Sequence, residues 1–129
     1  MENRVVLGNH LIAELWVRDP HLIDDPEHVR ESLIAACDKG GFSVIKIGIH
    51  RFSPCGVTGM VLLSESHMSI HTWPEHSYAA VDIFTCGGTA WDALDELKRR
   101  LDVEHVDVQE LDRGVLGSAQ PRTASAVGY

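Results

Sequence analysis

Two stretches of this sequence carry helical periodicity, and six strand-length segments surround them. Asp24-Asp25-Pro26-Glu27 reads as a helix start: Asp25 can cap free amides, Pro26 fits the first helical position, and Glu27 suits the positive helix end. Val29, Leu33, Ala36 and Cys37 recur at helical spacing up to Gly40-Gly41, which ends the helix. A second helix is expected from about Ala90 to Leu101, with Thr89 and Asp92 as a capping pair and Trp91, Leu94, Leu97 and Leu101 on one apolar face. Strand patterns occupy Gly8 to Val17, Phe42 to Phe52, Val57 to Leu63, His67 to Trp73, Tyr78 to Thr85 and Val103 to Leu111. Two amphipathic helices cannot cover both faces of so wide a sheet. The expected fold is α+β: a two-layer sandwich, a mostly antiparallel sheet with both helices on one face. The other face must be solvated or buried against a second copy. Apolar residues on both parities, as in Ala79-Ala80-Val81, favour a homodimer that pairs through the sheet face or an edge.

The chain has 129 residues, the size of one domain. That domain is expected over residues 1–113, and the Ser/Gly/Ala-rich stretch 114–129 reads as a flexible tail. The net charge is −8, from 19 acidic against 11 basic residues. Neutralising phosphates needs a basic surface, so neither nucleic acid nor an anionic membrane is an expected partner. No apolar run approaches the roughly 20 residues that span a bilayer. The opening Met1-Glu2-Asn3-Arg4-Val5 lacks the marks of a secretory signal. Cys37, Cys55 and Cys86 are odd in number and widely spaced, which fits reduced thiols in a cytoplasmic protein.

The chemically informative stretch runs from Leu63 to Gly87. Taken singly, its residues have ordinary explanations. His67 and His71 are four apart, which on a helix could hold zinc; on a strand they are roughly 13 Å apart, too far to share a metal. Trp73-Pro74 and the β-branched neighbours favour a strand, so no metal is expected. Cys86 and Phe52 could be core residues, and Glu75 a solvated turn residue.

Together the residues say more. The segment Glu65-Ser66-His67-x-x-Ile70-His71-Thr72-Trp73-Pro74-Glu75, then Tyr78-Ala79 and Val81-Asp82-x-Phe84-Thr85-Cys86-Gly87, closely resembles the prokaryotic S-adenosylmethionine decarboxylase proenzymes. Upstream, His50-Arg51-Phe52-x-Pro54-x-Gly56-Val57-Thr58-Gly59 resembles the same family, and the likeness extends from about Gly8 to Gly114.

The resemblance implies a chain that cuts itself between Glu65 and Ser66, giving a β chain of residues 1–65 and an α chain of residues 66–129. Ser66 would become an N-terminal pyruvoyl group, the cofactor, whose ketone forms a Schiff base with the substrate amine and takes up the electrons released as CO2 leaves. Carried over residue by residue, the resemblance makes His71 the proton acceptor in processing and Thr58, where serine is usual, an assistant. Cys86 matches the proton donor of turnover, Phe52 a residue stacking on adenine, and Glu75 a carboxylate on the ribose hydroxyls. The residue types suit these roles. A serine hydroxyl can attack the preceding carbonyl when the oxyanion is stabilised. Imidazoles titrate near neutrality, and thiols are mostly protonated there.

The implied reaction turns S-adenosylmethionine into its decarboxylated form plus CO2, an aminopropyl donor for spermidine synthesis. Arginine or ornithine decarboxylation by the same pyruvoyl chemistry is the nearest alternative. A non-catalytic partner subunit or a His-rich binding protein is the alternative of another class. Pyridoxal phosphate is not expected, because neither Lys39, Lys46 nor Lys98 lies near a Gly-rich loop after a strand.

Overall fold

The computed structural model describes residues 5–87 and 89–117. Strand β1 (Val5–Val17) is followed by a short 3-10 turn (Pro20–Ile23) and helix α1 (Pro26–Gly40). The Asp25 carboxylate accepts the free amides of Glu27 and His28 at 3.0 and 3.3 Å, which fixes where α1 begins. Gly41, at φ +73°, ends it in the left-handed conformation that glycine adopts most cheaply.

Strands β2 (Val44–Arg51), β3 (Val57–Leu63) and β4 (Ser66–Trp73) come next. After a second 3-10 turn (Pro74–His76) follow β5 (Tyr78–Thr85), helix α2 (Ala90–Arg100) and β6 (Val103–Leu116). The six strands form one sheet in the order β2-β3-β4-β5-β1-β6, and every neighbouring pair is antiparallel. Helix α1 lies over β2 and β3, α2 over β5, β1 and β6, and the helices pack side by side. The α+β sandwich expected from the sequence is the fold observed.

Alternation along each strand builds the core. Leu11, Ala13, Leu15 and Val17 of β1, Met68 and Ile70 of β4, and Val81 and Ile83 of β5 point to the helices and are buried. They meet Val29, Leu33, Ala36 and Cys37 of α1 and Ala93, Leu94 and Leu97 of α2. The opposite parity forms a face that no described helix covers. It keeps large apolar side chains in the open: Trp16, Met60, Leu62 and Trp73 are 39–51% exposed.

Several local expectations change: β1 starts at Val5 rather than Gly8, β2 is Val44–Arg51 rather than 42–52, and β4 starts at Ser66 rather than His67. Thr89 does not cap α2; its hydroxyl donates to the Gly40 carbonyl at 3.1 Å and ties the start of α2 to the end of α1. Trp91 leaves the apolar face of α2 and is 45% exposed, its place in the core taken by Ala90 and Ala93. Strand β6 continues to Leu116, where a tail was expected from residue 114, because β1 starts at Val5 and pairs with it as far as Val5 and Leu116. Gly114 sits at φ +68°, and a Cβ there would lie 2.9 Å from Leu7. Residues 118–129 of the expected tail fall outside the described residues.

Candidate active site

The hairpin joining β3 to β4 pairs Leu63 with Ser66 and puts Ser64-Glu65 at its tip. Its backbone is held on both sides. The Ser64 amide donates to the Ser43 carbonyl at 2.9 Å, and the Ser43 amide donates to the Glu65 carboxylate at 3.1 Å. The Cys86 amide donates to the Glu65 carbonyl at 3.0 Å. That carbonyl belongs to the bond at which the family resemblance implies cleavage. Ser66, the next residue, has φ +139°. Such values favour glycine, and a side chain there stores roughly 1–3 kcal/mol of backbone strain.

This twist also changes where the Ser66 hydroxyl points. Regular alternation would turn it to the helices, yet its Oγ lies 3.4 Å from Nδ1 of His67, whose ring packs against His10 and Phe84 on the open face. Cys86 follows Thr85, the cross-strand partner of Ser66, and is exposed. A cavity of about 410 Å³ opens beside it, lined by Gly8, Thr85, Cys86, Trp91 and Glu110 among others. Cys37 is a different kind of thiol. It sits in the core, and burial, with the Glu65 carboxylate second, pushes it up to about 11.

A second group of the expected residues gathers elsewhere. Thr58 and His71 are cross-strand neighbours on β3 and β4, and Thr58 Oγ1 lies 3.1 Å from His71 Nδ1. Phe52, Thr58, His71 and Glu75 line one cavity of about 310 Å³. The Glu75 carboxyl is held below the usual carboxylate range, first by its own backbone N–H and then by the Cys55 thiol, which donates to it at 3.3 Å.

The seven expected residues thus form two groups. Glu65, Ser66 and Cys86 sit at the hairpin end of the sheet; Phe52, Thr58, His71 and Glu75 sit at the opposite end of β4. Five residue steps of strand separate Ser66 from His71, about 16 Å. One chain does not bring the nucleophile and the expected proton acceptor together. His67 and His71 both lie on the strand, and among the described residues no group of three or more His, Cys, Asp or Glu could hold a metal ion. No described helix is long and apolar enough to cross a membrane.

Sequence reasoning passed over several residues. His67 contacts Ser66 directly and was visible only as the next letter. On the open face His10 reaches Asp82 at 3.4 Å, Ser69 donates to the same carboxylate at 2.5 Å, and Arg113 reaches His10 at 3.0 Å. Asp24, Arg51 and Cys55 surround the loop that carries Phe52. Apart from Ser66–His67, these contacts join residues 13 or more positions apart, so no local pattern announces them.

Comparison with known proteins finds relatives over most of the chain. Residues 9–114 match the family model described as S-adenosylmethionine decarboxylase. The S-adenosylmethionine decarboxylase proenzyme of Methanococcus maripaludis strain C5 is 45% identical over 112 residues, covering 85% of this chain and 92% of the relative. That of Clostridium tetani is 40% identical over 111 residues, covering 84% and 88%. The crystal structure of adenosylmethionine decarboxylase from Aquifex aeolicus superposes with a TM-score of 0.82 at 39% identity, covering 91% of this chain and 98% of that one.

Proposed function

The chain belongs to the S-adenosylmethionine decarboxylase family, and from that premise we propose how its own residues make the cofactor and use it. The protein is a self-cleaving decarboxylase that acts on S-adenosylmethionine. The observation that carries the reading is the Cys86 amide on the Glu65 carbonyl, next to a serine at φ +139°.

The Ser66 hydroxyl attacks the Glu65 carbonyl carbon. Charge develops on the carbonyl oxygen, where the Cys86 N–H already donates, and such a preset donor is worth most in the transition state. The C–N bond between residues 65 and 66 breaks and an ester to the Ser66 oxygen forms. Cleavage also releases the backbone strain at Ser66, which favours the forward direction. A base then takes the Cα proton of Ser66, and Glu65 leaves as a carboxylate. The dehydroalanine left at position 66 hydrolyses with loss of ammonia. Residues 1–65 and 66–129 become two chains.

His71, held by Thr58, is the proposed base. It cannot serve the Ser66 of its own chain from about 16 Å along the strand. A second copy resolves this. Two open faces stacked about a two-fold axis place each hairpin end over the partner's pocket end. In an isologous contact, Ser66 meeting the partner's His71 implies the reverse as well. The same stacking removes the large apolar side chains of the open face from water. We therefore assign the working unit as a homodimer whose sites each draw on both copies.

The residues at the hairpin end fit a pyruvoyl group, because position 66 would become a chain terminus beside an exposed thiol. When present, that group supplies a ketone that binds the substrate amine and accepts the electrons released with CO2. Cys86 then returns a proton to the substrate carbon. Phe52 and Glu75 hold adenine and ribose from the pocket end. The relatives named above favour a nucleoside substrate over arginine or ornithine, and the decarboxylated product would serve as an aminopropyl donor for spermidine synthesis.

A decarboxylation assay with S-adenosylmethionine, arginine and ornithine side by side tests the reading, together with intact mass under denaturing conditions. Two fragments, one with a blocked N-terminus, and CO2 release from S-adenosylmethionine alone are expected. A single full-length chain that releases no CO2 would sink the proposal in favour of a binding protein.

A further inference from the structure

The five residues Phe52 to Gly56 between β2 and β3 have no regular secondary structure, yet Phe52, Cys55 and Gly56 line the pocket at the far end of the open face. What holds this loop is polar. Asp24, just before α1, accepts the Gly56 amide through Oδ1 at 2.9 Å and the Arg51 guanidinium through Oδ2 at 2.9 Å. Arg51 Nε donates to the Asp24 backbone carbonyl at 3.2 Å. Its two terminal nitrogens donate to the carbonyls of Phe52 at 3.4 Å and Pro54 at 3.3 Å. The Phe52 amide closes the loop on the Gly56 carbonyl at 2.8 Å. Gly56 itself lies at φ +107°, and a Cβ there would sit 3.2 Å from the Thr72 carbonyl. The loop is therefore seated backbone to backbone on β4. On its other side the Cys55 thiol donates to Glu75 and ties the loop to the Pro74–His76 turn.

We propose that Asp24, Arg51 and Cys55 are positioning residues for the nucleoside end of the substrate, fixing the Phe52–Gly56 loop against the Pro74–His76 turn so that Phe52 and Glu75 are preset on one pocket. The proposal rests on the assignment of Phe52 and Glu75 to adenine and ribose. An exposed ion pair alone contributes little. Here the Asp24 carboxylate also accepts a loop amide, and that bond leads the causes that hold it below the usual carboxylate range, with Arg51 adding to it. Cys55 is pushed upward by its bond to Glu75, so it stays a protonated donor. Phe52 is 48% exposed and has little core packing to orient it. Without the clamp, substrate binding would itself have to order the loop, and that cost weakens affinity. The reacting atoms lie at Ser66 and Cys86, so the loss should appear in KM and spare kcat.

The experiment uses the processed enzyme and S-adenosylmethionine, with Glu75→Gln as the reference variant. Asp24→Asn keeps the shape of the side chain but loses the pairing with Arg51. It should raise KM about ten-fold with kcat within about two-fold of wild type. Cys55→Ala should raise KM about three-fold, and Cys55→Ser, which restores a donor, should return it close to wild type. Hydrogen exchange at the Phe52 amide should quicken in Asp24→Asn. If Glu75→Gln raises KM while the Asp24 and Cys55 variants leave it unchanged, the clamp is overturned and the nucleoside assignment stands. If Glu75→Gln itself leaves KM unchanged, the nucleoside assignment fails and the clamp fails with it. Should Asp24→Asn not fold, the Cys55 pair decides: an equal KM for Ala and Ser variants overturns the proposal.

Discussion

The two ends of β4 differ in how they are built. At the hairpin end the backbone does the work: a peptide carbonyl bonded to the Cys86 amide, a serine held at φ +139°, and a thiol left in the open. At the pocket end side chains do it: a hydroxyl on an imidazole at 3.1 Å, and a thiol on a carboxylate at 3.3 Å. One end is suited to breaking a bond in this chain, and the other to moving protons and holding a ligand. A strand cannot fold back over eight residues, so in the proposed reaction the two ends meet across a contact between copies.

The sharpest way to break this comparison is to disable one end in each of two copies. Ser66→Ala should remain uncut and inactive. His71→Ala should also remain one covalent chain, stalled at the ester after the 65–66 peptide bond has shifted, so that added hydroxylamine splits it. Coexpressed, the two variants form mixed dimers in which the Ser66 of one copy meets the His71 of the other. Cleaved α chain without hydroxylamine is expected only in the mixture. Its absence from purified mixed dimers would show that each chain processes itself.

A smaller effect separates processing from turnover. Cys86→Ala removes the thiol but keeps the backbone amide that faces Glu65. It should therefore still cut, perceptibly more slowly at most, while decarboxylation falls by about 10²–10⁴, the usual worth of a general acid. Product formation and the mass of the α-chain N-terminus, followed over successive turnovers, check this. Near-normal turnover would make Cys86 a bystander.

The smallest expected effect lies in the Thr58–His71 pair. Thr58→Ala should slow self-cleavage by about ten-fold, the loss of one hydrogen bond that orients a base, and Thr58→Ser should restore the rate. The time course of fragment appearance on a denaturing gel measures it. Equal rates for all three chains would reduce Thr58 to a strand residue.

Much of this molecule was legible before its structure. The cap at Asp25, the stop at Gly40-Gly41 and the limits of Tyr78–Thr85 all follow from signals carried within a few residues. Strand β6 outruns its sequence signal because it is an edge: most of its side chains stay in water, so no apolar alternation marks its end, and pairing with β1 sets its length instead. Trp91 was misplaced for a related reason. Helical spacing puts it beside Leu94, but in that turn Ala90 and Ala93 are the buried residues.

The two-layer fold was legible in the chain, because periodicity and caps are local properties, and an ordered motif alone carries the proposal of cleavage between Glu65 and Ser66. The tertiary structure decided which of the site residues share a place. Register across three antiparallel strands sets Thr58 against His71 and Ser66 against Thr85, and leaves most of the length of β4 between them. It also brought Asp24 to Gly56 across 32 residues, a hydrogen bond whose partners meet only once the sheet and α1 have packed.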